Sequence, residues 1–236
     1  GMQMKREATL RGIRLAGCVI GCLLATYGGP VEAADPATAA LKQISKVTEG
    51  LRGVVAEVEY SEIVGDRALG GSGKLYFHDA GLMRIEIGGD EPGTVLFRPP
   101  LLYIHRHADR VVEIYDVTSN PHRLAQYVGF GFTPTGTALK RQFEVDLFQE
   151  TTLDGKPVQS FLLVPKPKKA KAMAEAVGGL QLWVDPQSGL PVQQRIVHAQ
   201  GLSELRVRYL DVTREDELPD SLFQPEWPAG VETVRK

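Results

Sequence analysis

The chain has 236 residues, 43% of them hydrophobic, and a formal net charge of −2 at pH 7. That composition supports a globular core and excludes a disordered chain, while the near balance of charge without a basic stripe excludes a nucleic-acid binder. Both cysteines, Cys18 and Cys22, fall near the start of the chain. The rest has no thiol for catalysis, metal binding or disulfides, so the fold must stand on its core alone.

Lys5, Arg6, Arg11 and Arg14 form a positively charged opening, and Leu15 to Tyr27 follow without a charge. This is the layout of a secretory signal peptide, too short to span a membrane. Leu15-Ala16-Gly17-Cys18 matches a lipoprotein cleavage box, but there the cysteine closes the apolar run; here the run continues well beyond Cys18. Gly28, Gly29 and Pro30 precede Val31-Glu32-Ala33, which sets small residues at the −3 and −1 positions of a conventional cleavage. We therefore read residues 1–33 as a signal peptide cleaved after Ala33, and residues 34–236 as one exported domain without a lipid on Cys18.

Asp35-Pro36 is a helix start, with an N-cap acid and proline at the first helical position. Leu41, Ile44, Val47 and Leu51 continue it at helical spacing. The period then switches to two. In "VVAEVEYSEI", Val58 and Tyr60 share an apolar face with Val54 and Ala56, opposite Glu57 and Glu59. "GDRALGGSG" reads as a glycine-rich hairpin connection. "KLYF" follows with Leu75 and Phe77 on one face, then "LMRIEI" with Met83, Ile85 and Ile87 opposite Arg84 and Glu86. "TVLF", "LLYIHR" and "RVVEIYDV" extend the series, and Asn120-Pro121 opens a predicted short helix. "QFEVDLF" places Phe143, Val145 and Leu147 against Glu144 and Asp146. "VQSFLLVP", "LQLWVD", "VQQRIVH" and "ELRVRYLDV" complete about ten strands, with a further helix over about 168–177 and a turn near 214–223.

Alternation at this spacing predicts a mainly β fold: one antiparallel sheet, solvated on one face, that curls as twist accumulates into an incomplete barrel. The apolar face turns inward. Val58, Tyr60, Leu75, Phe77, Met83, Ile85, Phe143, Val145 and Leu147 are the expected lining. Pattern alone leaves open whether large side chains fill the concavity or it stays hollow for an acyl chain.

Other features carry less. His105 and His107 share a strand face as a metal pair would, without a third ligand nearby in sequence. Glu57 and Glu59 read as surface carboxylates, and "GGSGK" lacks the spacing of a phosphate loop. Four lysines within 166–171 suit a solvated helix end or an acidic partner. Trp183 and Trp227 read as packing residues. No nucleophile–base or metal set appears, so neither an enzyme nor a cofactor is expected.

The order of pieces resembles the periplasmic outer-membrane lipoprotein-sorting proteins, the LolA/LolB superfamily, and LolA-like members in particular. The resemblance runs over residues 34–236: a helix, "GVVAEVEYSE", "GSGKLYFHDAGLMRIEI", the strands through "LLYIHRHADRVVEIYDV", "LQLWVDPQSGLPVQQRIV" and the closing "LFQPEWPAGV". It implies an unclosed β-barrel with helices as a lid over an apolar cavity. It implies a periplasmic monomer that carries lipid or lipoprotein acyl chains from an inner-membrane donor to an outer-membrane acceptor. One departure stands out. Where the family has an arginine-proline pair after the "G-x-L-x-F" strand, this chain has Asp79 and Ala80, so the family's lid latch does not carry over. A non-transporting envelope sensor or regulator on the same barrel is the alternative.

Overall fold

The computed structural model describes residues 35–119, 137, 139–168, 171–201 and 203–236. The signal peptide, Cys18 and the helix predicted from Asn120-Pro121 lie outside the described residues. The elements in chain order are α1 (Pro36–Val47), β1 (Gly53–Val64), β2 (Arg67–His78), β3 (Leu82–Ile87), β4 (Gly93–Arg98), β5 (Leu101–Arg106) and β6 (Val111–Asp116). They continue with α2 (Leu139–Gln142), β7 (Phe143–Leu153), β8 (Lys156–Pro165), α3 (Lys171–Ala176), β9 (Val177–Val184), β10 (Pro191–His198), β11 (Ser203–Arg214) and β12 (Glu232–Arg235).

α1 begins as its sequence dictates. The Asp35 carboxylate accepts from Thr38 N at 3.1 Å and from its hydroxyl at 2.8 Å, with Pro36 at the first turn. It ends earlier than the apolar spacing suggested, because Thr48 closes on Ile44 O with both its N–H and its hydroxyl and Gly50 turns left-handed at φ 72°. Ala37, Ala40, Leu41 and Ile44 are its buried face.

The twelve strands among the described residues form one sheet in the order β12-β6-β5-β4-β3-β2-β1-β11-β10-β9-β8-β7. β1 and β11 pair at its centre, so sequence-distant strands join the two halves. The sheet is curved and unclosed, a mainly β architecture as the alternation requires. Its concave face and α1 make one core. Leu41 and Ile44 pack with Ala56, Val58, Leu75, Ile85 and Leu102 from one half and with Phe161, Leu163, Leu180 and Leu182 from the other.

Three details differ from the sequence expectation. First, "GDRALGGSG" is not a connection: the hairpin turns at Gly65-Asp66, and Arg67 to Gly73 already belong to β2. The glycines are there because the neighbouring chain lies on them. A Cβ on Gly71 would sit 2.3 Å from Gly88 O, and one on Gly73 2.3 Å from Glu86 O. Second, a bulge between Val145 and Leu147 slips β7 against β8, so Val145 faces Leu163 while Leu147 pairs with Leu162 on the convex face and is 47% exposed. Third, β12 joins the edge parallel to β6, the one parallel pair among the described strands.

The closing motif has a structural meaning. Arg84 donates to Leu222 O at 3.3 Å, Arg98 to Phe223 O at 2.7 Å and Arg110 to Ala229 O at 3.1 Å. These three guanidiniums strap the C-terminal segment over the convex face of β3–β6. Beneath the strap, Phe223 is buried and Trp227 lies edge-on to His105 with ring centroids 5.3 Å apart.

Candidate functional site

Strand register decides where the concave face is filled and where it is hollow. Across the middle, Val58, Leu75 and Ile85 lie at or below 1% exposure against α1. Toward the β1–β2 hairpin the inward positions are Tyr60, Gly71, Gly73, Ile87, Gly93 and Arg106, with Ile87 set between Gly73 and Gly93. Three of these six are glycines, which offer no side chain to fill the space. The result is a cavity of about 490 Å³, within the range of about 300–1,000 Å³ usual for small-molecule sites. Its wall is formed by Tyr60, Leu69, Ile87, Val95 and Ile104, and its mouth by Glu62, Asp90, Glu91, Arg106 and Asp109.

The β3–β4 loop sets the mouth. Because β2 offers backbone there instead of side chains, the loop lies directly on it: Asp90 N donates to Gly70 O at 3.3 Å, and Gly70 N donates to the Asp90 carboxylate at 3.1 Å. Tyr60 crosses to the same loop and donates its hydroxyl to Gly88 O at 2.9 Å. Burial raises the Tyr60 phenol, and the negative charges of Asp90, Glu91 and Glu62 raise it further. Arg106, the cation at this mouth, is committed elsewhere. It donates to Asp109 at 2.7 Å and to Glu113 at 3.3 Å, which holds its own ionisation higher still. Burial pushes the Glu113 carboxyl up, but Arg106, the Tyr115 hydroxyl and Lys236 outweigh that and keep it below its ordinary value.

Of the nine residues expected to line the concavity, Val58, Leu75, Met83, Ile85 and Phe143 are buried in the core cluster. Val145 packs against it, and Phe77 stands half-buried between Val54 and Met83. Leu147 is on the outside. Tyr60 lines the cavity. Its partners Leu69, Val95 and Ile104 carried no sequence prediction as lining, and Asp90 and Glu91 sit in "GGDEPG", which has no period to read. Only the glycine density on both sides of that loop hints at close backbone approach.

His105 and His107 stack with centroids 4.7 Å apart on the convex face, and His107 Nε2 meets Thr94 Oγ1 at 3.2 Å. Among the described residues no group of three potential metal ligands assembles. The lysine run is partly structural: Lys166 donates to Lys140 O at 2.8 Å, Lys140 in turn reaches Thr38 Oγ1, and Lys171 pairs with Glu175 at 3.7 Å. Asp79 lies in the β2–β3 turn, its carboxylate 2.9 Å from His78 Nδ1.

Neither the family models nor the curated proteins compared with the chain give a match. Solved structures do. An uncharacterised conserved protein from Thermus thermophilus superposes with a TM-score of 0.53 at 12% identity, covering 86% of this chain and 100% of that one. A LolA superfamily protein from Nitrosomonas europaea gives a TM-score of 0.39 at 8% identity, over 81% of this chain and 98% of that one. MucB in the Pseudomonas aeruginosa MucA/MucB complex gives 0.44 at 13% identity, over 83% of this chain and 63% of that one. At such identities the likeness is one of fold alone, and the superposition above 0.5 is with the Thermus thermophilus protein.

Proposed function

We propose that this protein is an exported, periplasmic carrier that shelters lipid or lipoprotein acyl chains and moves them toward the outer membrane. The observation behind the reading is the cavity of about 490 Å³ at the end of the concave face, walled by Ile87, Val95 and Ile104. A chain placed there gains about 0.8 kcal/mol for each buried methylene, so affinity needs no specific polar contact with the tail.

A second reading, a non-transporting envelope sensor, is favoured by one feature. Asp79 occupies the position of the latch arginine and is engaged by its neighbour His78. The two readings separate in a transfer assay. Protein loaded from vesicles carrying a fluorescent acyl lipid is mixed with acceptor vesicles. A carrier moves label at a rate proportional to its own concentration. Protein that binds the label and keeps it supports the sensor instead, and protein that takes up none removes both.

A further inference from the structure

The mouth of the cavity carries more negative charge than its surroundings neutralise. Glu62 from β1 and Asp90 and Glu91 from the β3–β4 loop border it, and among the described residues none of the three forms an ion pair. The cation at the same mouth, Arg106, is held by Asp109 and Glu113. The three carboxylates line the same cavity as the Tyr60 hydroxyl, and their negative charges oppose ionisation of that phenol. Asp90 and Glu91 are exposed at the rim, and their field acts across the apolar wall of the cavity.

We propose that the cavity selects cationic single-chain amphiphiles: an alkyl or acyl tail in contact with Ile87, Val95 and Ile104, and a protonated amine or quaternary ammonium between Glu62, Asp90 and Glu91. This rests on the reading that the cavity holds chains, and it names which chains. A fatty acid or an anionic phospholipid would set its head beside three like charges. An ammonium head replaces lost hydration with carboxylate contacts.

The test is competition on the whole exported domain, with N-phenylnaphthylamine, neutral at pH 7, as the fluorescent reporter. Dodecylammonium, dodecanol and dodecanoate compete below their micelle concentrations, and spermine serves as a cation without a tail. The expected result is displacement by dodecylammonium at about one tenth of the dodecanoate concentration at low salt. That ratio shrinks toward unity when salt is raised to about 1 M, where the screening length falls to about 3 Å. It also shrinks in the E62Q/D90N/E91Q variant, whose thermal melting is recorded alongside to establish that it is folded. Dodecanoate equal to or better than dodecylammonium overturns the charge selection while leaving the chain-binding cavity in place. Spermine as effective as dodecylammonium overturns the amphiphile, because the tail then contributes nothing. A wild type that does not bind the reporter, and that none of the tailed ligands protects from unfolding, overturns the carrier reading itself.

Discussion

Tyr60 and Phe77 stand on the same concave face, yet the structure assigns them different surroundings. Tyr60 reaches the cavity and anchors the β3–β4 loop through Gly88. Phe77 is flanked by Val54 and Met83, away from the cavity wall. Period-two alternation identified both as inward but could not separate them, because filled and hollow stretches of one face share a pattern. The separation comes from their neighbours: Tyr60 pairs with Gly71, which offers no side chain to fill the space beside it, whereas Phe77 is flanked by Val54 and Met83. A matched pair of substitutions exposes the difference. Ile87→Glu puts a carboxylate on the half-buried wall of the cavity and should abolish binding of an apolar probe in protein that still folds. Phe77→Glu inserts the same charge next to the core and should lower the melting temperature by several degrees or prevent folding, a cost of about 2–4 kcal/mol. Thermal melting and probe titration on both variants check this.

Among the elements, the sheet itself was legible and its irregularities were not. Alternating residues in β1, β3 and β7 announced their strands, whereas the bulge that turns Leu147 outward is a matter of register with β8 and leaves no mark on the period. Gly70, Gly71 and Gly73 looked like a turn because glycine serves turns and close approaches alike. β12 has four residues and gains its place through backbone bonds, Glu232 N to Arg110 O and Lys236 N to Ile114 O, both 3.0 Å. The C-terminal strap ahead of it carries a pH dependence. His105 is 6% exposed beneath Trp227, and burial followed by the nearby His107 lowers its ionisation below the ordinary 6.5. His107 and Arg110 lie around this spot, and burial leaves the protonated ring poorly hydrated. A histidine lowered on folding contributes stability that is fully present above about 6.5 and is lost as pH falls through the lowered value. In a W183F background, Trp227 emission should shift to the red on acidification from pH 7 to about 5, and His105→Gln should flatten that response.

At the scale of the molecule, β1 and β11 join the halves of the sheet at its centre and α1 closes the core over them, which leaves the hairpin end of β1–β5 hollow. The mainly β, unclosed architecture was readable from alternation and turn spacing. The cavity's position was not, since it depends on strand register and on a loop folding onto glycines. The chemistry of its mouth follows from that loop: the same backbone contacts that hold Asp90 against Gly70 bring Glu91 to the cavity's rim.

The most direct test of chain binding is native mass spectrometry of the protein purified without detergent, followed by organic extraction of whatever travels with it. The carrier reading predicts a population heavier than the polypeptide by the mass of one amphiphile, recovered in the extract and lost from Ile87→Glu. A wild type that flies only at its polypeptide mass, and that stays bare after incubation with vesicles, would contradict it.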